Sequence, residues 1–450
     1  MLKLLKIAMA QMEVVPGHPD VNTATILRFI EEARTKGADV VIFPEMAVPG
    51  YFLGDTWEQS AFLRDCESYG RDIIAASKDI TVMFGNVAID WQKKNNDGRV
   101  RKYNAFFIAR DGELIQPDNM PYPYTIKTLM PNYREFDDTR HFFSLQKLAR
   151  ELGTTPSKLL SPVTLKIRDD YYRVGCLHCE DGWSDDYEVA PFELLEEKEQ
   201  LDFYVNISAS PYTLGKNDKR NRVFGRQARE AGVPLFYVNC IGLQNIGKTV
   251  YTFDGSSTAY NESGHVVRTL PEYEEALAVL PLAGMKDMPA EKEADEPDIA
   301  HIYRALHYGI GHFLANIHMK KIVIGISGGI DSAVAAALYA KVVGPENLLL
   351  VNMPSVFNSA TTKGLSQELA NNLGCQYMII PIQESVDHTI KQLEETPMVN
   401  LGTGSESHLR VSSFVAENIQ ARARSARVLA GAAAGFGGGV PCNAHQAAPT

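Results

Sequence analysis

A glycine-rich turn between an apolar run and a helical pattern carries the clearest chemical signal in the chain. Residues 321–333 read Lys-Ile-Val-Ile-Gly-Ile-Ser-Gly-Gly-Ile-Asp-Ser-Ala, so a strand of the buried type leads into glycines and then into a helix. Backbone amides at the start of such a helix are suited to bind phosphate oxygens. The segment has neither the lysine of a Walker loop nor the Gly-x-Gly-x-x-Gly of a dinucleotide fold. It therefore predicts an ATP site of another type.

Three reactive side chains earlier in the chain suggest a second chemistry. Glu45 follows the apolar run 40–43 and Cys179 follows residues 172–178, so each is predicted to lie where a strand gives way to a turn. A thiol needs a neighbouring base or cation to become a thiolate, which can then attack an amide carbonyl and form a thioester. Glu45 offers the base and Lys127 the positive charge. The set suggests amide hydrolysis, and two sites on one chain suggest a coupled reaction.

Each of these signals also has an ordinary structural explanation. A cysteine beside a strand is more often a small buried hydrophobe than a nucleophile, and a glutamate after a strand is often a cap. Cys176 lies three residues before Cys179, and the resulting Cys-x-x-Cys pattern also occurs in redox and zinc sites. No second pair of Cys or His at ligand spacing accompanies it. We therefore expect neither redox chemistry nor zinc there, and we expect His178 to be a packing residue.

The order of three contexts favours the catalytic interpretation. The segments Phe43-Pro-Glu45, Lys127-Thr-Leu-Met-Pro-Asn-Tyr133 and Gly175-Cys-Leu-His-Cys-Glu-Asp181 together resemble the nitrilase superfamily of carbon-nitrogen hydrolases, over residues 4–285. The resemblance implies a four-layer α-β-β-α sandwich. It also implies that Glu45 is the general base, that Lys127 stabilises the oxyanion and that Cys179 is the nucleophile. Residues 206–216 resemble the glutaminase branch, which implies that Tyr133, Ser210 and Lys216 hold the glutamine substrate.

Residues 327–332 resemble the ATP pyrophosphatase family. With the upstream part, Asn352-Met-Pro-Ser355 and the segment 417–422, the chain resembles the glutamine-dependent NAD synthetase family. That resemblance implies that deamido-NAD is adenylated and that ammonia from glutamine displaces AMP. It further implies that Asp331 holds Mg²⁺ and that Asn418 lies near deamido-NAD. The implied ATP contacts are Gly325, Ile326, Ser327, Gly328, Gly329, Ile330, Asp331 and Ser332.

The elements that must position these residues form an α/β pattern in two parts. Short apolar runs alternate with helical stretches up to residue 285, and residues 286–300 are charged and contain two prolines, which is typical of a linker. From 301 to 450 the pattern predicts an incomplete Rossmann-like parallel sheet that binds ligands at the carboxyl ends of its strands. Helices are predicted at 300–318, 331–343 and 359–373, and strands at 321–326, 347–353 and 376–381. The segment 430–450 loses this periodicity and is predicted to be poorly ordered at its end.

Composition limits the remaining function classes. A formal net charge of -11 argues against nucleic-acid binding, and six cysteines without a disulfide-framework spacing favour a reducing compartment. No apolar run approaches the length that spans a membrane, and the N-terminus shows no signal-peptide pattern. We expect a cytoplasmic protein whose partners are glutamine, ATP and deamido-NAD, with further copies of the same chain in a homo-oligomer.

One region departs from the family that the chain resembles. The family usually continues with a Gly-Asn-Lys-Ser-Glu-like loop, whereas residues 442–449 read Cys-Asn-Ala-His-Gln-Ala-Ala-Pro. We therefore expect a truncated synthetase domain, and a fragment, a frameshifted product and a truncated paralogue all remain open. Two other functions remain open as well. One is a free-standing nitrilase-type amidase with a synthetase remnant, and the other is a non-catalytic assembly subunit.

Overall fold

Strands and helices alternate along the chain, and most strands of its first 281 residues form two sheets. The computed structural model describes residues 5–134, 136–198, 201–245, 249–291, 296–355 and 360–441. The chain divides into two units, Met1–Ala305 and Leu306–Thr450. Residues 298–305 group with the first unit, where Arg304 pairs with Glu272 at 2.9 Å and with Glu296 at 2.7 Å.

The strands in chain order are β1 Lys6–Gln11, β2 Val40–Ile42, β3 Thr81–Lys94, β4 Val100–Arg110, β5 Glu113–Leu114, β6 Thr125–Ile126, β7 Val163–Ile167, β8 Asp170–His178, β9 Phe203–Ser208, β10 Leu235–Asn239, β11 Ile241–Asn245, β12 Val250–Asp254, β13 Thr258–Tyr260, β14 Val266–Thr269, β15 Ala276–Pro281, β16 Ile322–Gly325, β17 Leu348–Asn352, β18 Gln376–Ile379, β19 Pro397–Val399 and β20 Glu406–His408. The α-helices are α1 Pro19–Thr35, α2 Ser60–Ala75, α3 Asp138–His141, α4 Leu145–Glu151, α5 Pro156–Leu159, α6 Pro191–Glu196, α7 Lys216–Ala231, α8 Asp298–Asn316, α9 Ile330–Val343, α10 Ala360–Leu373, α11 Gln383–Glu395, α12 Ser413–Arg422 and α13 Ala430–Phe436. Among the described residues, no helix has both the length and the apolar character needed to cross a membrane.

The two sheets of the first unit bring several strand ends to one region. The first sheet has the order β15-β1-β2-β3-β4-β5, with β6 also paired to β4, and the second has the order β14-β13-β10-β9-β8-β7. Strands β1, β2 and β3 are parallel to one another, and so are β8, β9 and β10. Because parallel neighbours end at the same edge of a sheet, the loops that follow them lie side by side.

Alternating side chains place the two sheets face to face. Along β1, Ile7 and Met9 pack against apolar residues of the second sheet, whereas Ala8 and Ala10 pack against α1 and α2. The other face of the second sheet is covered by α4, α6 and α7, for example where Phe224 of α7 packs on Tyr237. The layers are thus helix, sheet, sheet and helix, which confirms the predicted four-layer sandwich.

The second unit has a three-stranded parallel sheet with helices on both faces. Its strand order is β16-β17-β18, and the strands are parallel neighbours. Ile322 and Ile324 pack with α9 on one face, and Val323 packs with Ala433 of α13 on the other. The predicted strand 321–326 is observed at Ile322–Gly325 and the predicted helix 331–343 at Ile330–Val343. The predicted parallel-sheet domain is therefore confirmed.

The segment from residue 430 onwards, which was predicted to lose the alternation of strands and helices, begins with a helix that the sequence analysis did not predict. Residues Ala430–Phe436 form α13, which ends at Gly437 with φ +74°. Alanine is the strongest helix former and offsets the two glycines in this stretch. After the helix, Gly439 pairs with Ile322 and accepts a 2.8 Å hydrogen bond from the Val323 amide. The predicted disorder of the last residues concerns 442–450, which lie outside the described residues.

The loop that carries Glu45 packs directly against Gly85 in β3, where a side chain would not fit. A Cβ atom at Gly85 would lie 2.4 Å from the Met46 nitrogen and 2.6 Å from the Glu45 Cα. Since both are backbone atoms of a buried loop, Gly85→Ala is expected to lower the free energy of unfolding by about 2–3 kcal/mol in a urea titration.

The matched control for that prediction is Gly98→Ala at the turn between β3 and β4. Gly98 has φ +81° but nothing within 4 Å of its added Cβ. The control should therefore show only the backbone strain of about 1 kcal/mol. If the free energy of unfolding fell equally in the two variants, the steric explanation for Gly85 would be wrong.

Candidate active site

Glu45 is held in a buried loop after β2 by hydrogen bonds to both carboxylate oxygens. Oε1 accepts from Asn104 Nδ2 at 2.7 Å and from Lys127 Nζ at 2.8 Å. Oε2 accepts from the Ala209 amide, which follows β9 of the other sheet, at 2.9 Å. The residue is 1% exposed. The carboxylate therefore connects the two sheets where their strands end.

Lys127 follows β6 and has no exposed side-chain surface. Besides Glu45, its Nζ lies 2.9 Å from Asp138 Oδ2 and 3.3 Å from the Tyr51 hydroxyl. The Tyr51 hydroxyl in turn donates to Asp138 Oδ1 at 2.5 Å. Burial acts to lower the pKa of Lys127, but the Asp138 and Glu45 carboxylates outweigh it and the pKa is raised well above its usual value. Lys127 is thus a fixed cation at neutral pH.

Sequence reasoning identified Lys127 and Glu45 but not Asp138, Tyr51 or Asn104. Asp138 lies at the first position of the short helix α3, eleven residues after Lys127. Asn104 lies in the middle of β4. Neither has a local pattern that separates it from an ordinary capping or strand residue, so only the tertiary structure reveals its role.

Cys179 lies at the turn that follows β8, as predicted. It is the first residue of a 3₁₀ helix, Cys179–Gly182, and has φ +39°, an uncommon backbone conformation for a residue other than glycine. Its side chain lines a cavity. Burial, followed by the negative charge of Glu45, raises the pKa of the Cys179 thiol to about 12. In the free protein the group is therefore a protonated thiol.

Asp181 fixes the Lys127 and Cys179 loops to each other. Its carboxylate accepts from the Thr128 amide at 3.1 Å and from the Leu129 amide at 2.8 Å, and it also accepts from the His178 amide at 3.3 Å. The His178 ring is buried and packs edge-on against Phe106 at 5.8 Å. Its Nδ1 atom also lies 3.4 Å from Asp181 Oδ2, so the ring contacts both the core and the carboxylate that joins the two loops.

A cavity of about 840 Å³ opens over the thiol. Five of the residues singled out in the sequence line it, namely Lys127, Tyr133, Cys179, Ser210 and Lys216. Glu45 lies behind them as the hydrogen-bond partner of Lys127. The structure therefore brings together all six residues that were predicted to form the first site.

The cavity wall carries charges of both signs. Glu180, which the sequence analysis did not assign to the site, accepts hydrogen bonds from the Tyr133 hydroxyl at 3.1 Å and from the Tyr187 hydroxyl at 2.8 Å. Lys216 begins α7 and lines the same cavity. Ser210 is held by Asn239, whose Oδ1 accepts from the Ser210 amide at 2.9 Å. A ligand with one cationic and one anionic group matches this wall.

Residues 325–332 of the second unit comprise the last residue of β16, the turn 326–329 and the first three residues of α9. Gly328 has φ +84°, and the Ser327 and Ser332 hydroxyl oxygens lie 3.2 Å apart. An adjacent cavity of about 390 Å³ is lined by Gly328, Gly329 and Ile330 together with residues of α10. Hydroxyls and backbone amides at the first turn of a helix match the predicted phosphate site.

Asn418 and Asp331 were predicted to contact deamido-NAD and Mg²⁺, and neither lies in a cluster of side chains suited to that ligand among the described residues. Asn418 lies on α12, and its recorded hydrogen bonds stay within that helix, to the Phe414 carbonyl at 2.9 Å and from Arg422 at 3.2 Å. Asp331 lies in the first turn of α9. Within the described ranges, no cluster of three or more His, Cys, Asp or Glu side chains could hold a metal ion. A cation at Asp331 therefore depends on further oxygen ligands from a phosphate.

Family models match both units of the chain. The model described as carbon-nitrogen hydrolase matches residues 6–289, and the model described as NAD synthase matches residues 302–434.

Several curated relatives carry the name glutamine-dependent NAD(+) synthetase. The relative from Synechocystis sp. is 30% identical over 391 residues, which cover 84% of this chain and 65% of the relative. The relative from Rhodobacter capsulatus is 30% identical over 384 residues, 84% of this chain and 62% of the relative. The chain thus spans slightly less than two thirds of the length of these two relatives.

Two solved structures match the fold over 97% of this chain. The glutamine-dependent NAD+ synthetase of Acinetobacter baumannii, in complex with ADP, is 25% identical with a TM-score of 0.79, and the match covers 97% of this chain and 74% of that one. The glutamine-dependent NAD(+) synthetase of Cytophaga hutchinsonii is 18% identical with a TM-score of 0.72 and the same coverage.

The raised pKa of Cys179 predicts how its alkylation depends on pH. Because the pKa of the thiol is raised to about 12, the thiolate fraction should increase about tenfold per pH unit between about pH 7 and about pH 9.5. The rate of iodoacetamide modification at the Cys179 peptide, followed by mass spectrometry, should rise in parallel without levelling. Glutathione in the same buffers is the control and should begin to level near its own pKa. A plateau for Cys179 within this range would show that the free protein already stabilises the thiolate.

Proposed function

Because the chain belongs to the carbon-nitrogen hydrolase family, whose model matches residues 6–289, we propose that it hydrolyses glutamine and uses the ammonia to make NAD. In the second reaction deamido-NAD is amidated at the expense of ATP. The observation that carries the proposal is the Lys127 ammonium, held between two buried carboxylates beside Cys179 in a cavity that carries both charges. The match of residues 302–434 to the NAD synthase model supports the second half.

The first reaction follows from the thiol and its neighbours. Since the Cys179 thiol is protonated, attack on the amide carbon of glutamine requires a base, and Glu45 takes the proton as the carbon–sulfur bond forms. Lys127 is a fixed cation close enough to stabilise the oxyanion of the tetrahedral intermediate. Glu45 then returns the proton to the leaving nitrogen, and ammonia departs. Water attacks the resulting thioester, Glu45 takes its proton, and glutamate is released as the thiol is restored.

The charged wall of the cavity explains why glutamine suits it. Glu180 is oriented by the Tyr133 and Tyr187 hydroxyls and would pair with the α-ammonium group. Lys216 would pair with the α-carboxylate, and Ser210 would add a hydroxyl on the same wall. Both charges of an amino acid must be paired once it leaves water. A neutral amide substrate would leave these groups without partners.

The second reaction is assigned to residues 301–450, with residues 1–285 as the glutaminase domain and 286–300 as the linker. The loop Gly325, Ile326, Ser327, Gly328, Gly329, Ile330, Asp331 and Ser332 would bind ATP through backbone amides and hydroxyls, and Asn418 would contact deamido-NAD. Mg²⁺, held by Asp331 and phosphate oxygens, would neutralise charge on the pyrophosphate. The ADP complex of the Acinetobacter baumannii protein supports the nucleotide assignment.

We also propose that the protein works in the cytoplasm as a homo-oligomer. Cys66, Cys176, Cys179, Cys240 and Cys375 are all free thiols, which suits a reducing compartment. In the second unit the large apolar side chains of Phe414 and Leu401 are 72% and 96% exposed. Exposed apolar side chains of this size favour a contact with another chain.

The coupled activity is tested by supplying the chain with ATP, Mg²⁺, deamido-NAD and either glutamine or ammonium chloride. The unaltered chain should form NAD from both nitrogen sources. Cys179→Ala should lower the glutamine-dependent rate by about a thousandfold or more, because the nucleophile is lost, while the ammonium-dependent rate is retained. Cys176→Ala, three residues away and buried in the core, is the matched control and should keep both rates. If the chain released ammonia in a Cys179-dependent reaction but formed no NAD, it would instead be an amidase whose second unit is inactive.

Asp331 provides the complementary prediction for the second site. Asp331→Asn removes the carboxylate proposed to hold Mg²⁺, so NAD formation from either nitrogen source should fall by about a hundredfold. Release of ammonia from glutamine, measured separately, should persist. Asp387→Asn on α11, an exposed aspartate of the same unit, is the control and should leave NAD formation unchanged. Unaltered NAD formation in Asp331→Asn would refute the metal assignment.

A further inference from the structure

A second buried ionic cluster lies behind the wall of the glutamine cavity, and the mechanism above does not use it. Arg220 of α7 is 1% exposed and Asp254, the last residue of β12, is 2% exposed. Their Nη2 and Oδ1 atoms are 4.0 Å apart. Asn217 and Ser256 link the two charged residues through a chain of hydrogen bonds. Arg220 Nη1 donates to Asn217 Oδ1 at 2.6 Å, and Asn217 Nδ2 donates to Ser256 Oγ at 3.2 Å. Ser256 Oγ in turn donates to Asp254 Oδ2 at 3.5 Å.

This pair is poorly explained as a stabilising contact. Within the described part of the chain, Arg220 Nε and Nη2 and Asp254 Oδ1 have no hydrogen-bond partner. The guanidinium instead packs over the Tyr237 ring, 4.5 Å from its centroid. An ion pair removed from water is frequently no more stable than apolar residues of similar volume. Stability alone therefore does not account for this pair.

The position of Lys216 indicates what that role is. Lys216 is the first residue of α7 and lies one turn before Arg220, so the two side chains share a helix face. Lys216 lines the cavity beside Cys179. Burial raises the pKa of Asp254, while Arg220 and then Lys216 act to lower it, so the carboxylate lies in the field of both cations. Arg220 is the direct partner of Asp254, at 4.0 Å, whereas Lys216, whose Nζ donates to the Pro211 carbonyl at 3.2 Å, acts on the carboxylate through its charge.

We propose that Arg220 is a positioning residue that neutralises Asp254 and so prevents this carboxylate from drawing the Lys216 ammonium out of the cavity. The two cations and one anion leave one net positive charge, which Lys216 presents to the α-carboxylate of the substrate. Without Arg220 the net charge would be zero, because Asp254 would then need Lys216 as its counter-ion. This inference rests on the proposed function, since the carboxylate is that of glutamine.

The test measures glutamine binding and turnover in charge variants of the full chain. Binding is measured by titration calorimetry in a Cys179→Ala background, where glutamine is not consumed, and kcat and KM for ammonia release are measured with Cys179 present.

Arg220→Met should raise Kd and KM about tenfold while kcat changes less than about threefold. The double change Arg220→Met with Asp254→Asn should restore Kd, because no unpaired anion then competes for Lys216. Arg220→Lys loses the stacking on Tyr237 but keeps the charge, so its Kd should stay within about threefold of the parent if charge balance is what matters. Arg222→Met, an exposed arginine of the same helix, is the matched control and should change neither constant.

The restoration in the double variant separates charge balance from packing. If the double variant binds as weakly as Arg220→Met, or if Arg220→Met binds like the parent, the inference is wrong while the proposed function stands. If the Cys179→Ala chain itself does not bind glutamine and the parent chain releases no ammonia, both fail. Thermal unfolding is recorded for each variant. Should Arg220→Met not fold, Arg220→Gln, which also removes the positive charge but keeps polar atoms in the buried chain of hydrogen bonds, takes its place in the same comparison with its Asp254→Asn double variant.

Discussion

The Lys127 ammonium group holds the first site together because it is buried between two carboxylates. It lies 2.8 Å from Glu45 Oε1 and 2.9 Å from Asp138 Oδ2, with almost no access to solvent. Taking such charges out of water costs several kcal/mol per ion, which attraction offsets only when the remaining lone pairs are also satisfied. Asn104 and the Ala209 amide provide those hydrogen bonds. The fold must therefore hold backbone and side-chain groups from several elements at fixed positions around one nitrogen atom.

The four-layer fold meets this requirement because both sheets contribute strand ends to the same place. Glu45 and Lys127 follow β2 and β6 of the first sheet, whereas Cys179 and Ala209 follow β8 and β9 of the second. The distance between Glu45 and Cys179 is thus set by the core between the sheets, not by either loop alone. Protein cores are packed as densely as organic crystals and resist small displacements. Asp181, whose carboxylate bonds the backbone of both loops, removes the remaining freedom.

The sequence predicted the parts of this site that have a local pattern. Glu45 and Cys179 follow apolar strands, and the strand and helix around residues 327–332 were placed to within one residue of the observed ends. Asp138 and Asp254 were not predicted, because a buried aspartate at the start of a helix or the end of a strand has the same local pattern as a solvated cap. The helix Ala430–Phe436 was missed for the opposite reason, since its glycines conceal the strong propensity of its alanines.

The two buried clusters of the first unit have opposite charge excesses, and this difference bears on how the cavity binds its ligand. The cluster around Lys127 has two carboxylates for one ammonium, whereas the cluster around Asp254 has two cations for one carboxylate. Burial and Glu45 raise the pKa of the Cys179 thiol and Lys127 lowers it, while Glu180 raises it and Lys216 lowers it to a smaller extent. A zwitterion bound at Lys216 and Glu180 would neutralise one charge of each sign and leave the balance around the thiol nearly unchanged. Glu45, the base proposed for Cys179, would then take the proton without a large shift in the surrounding field when the substrate binds.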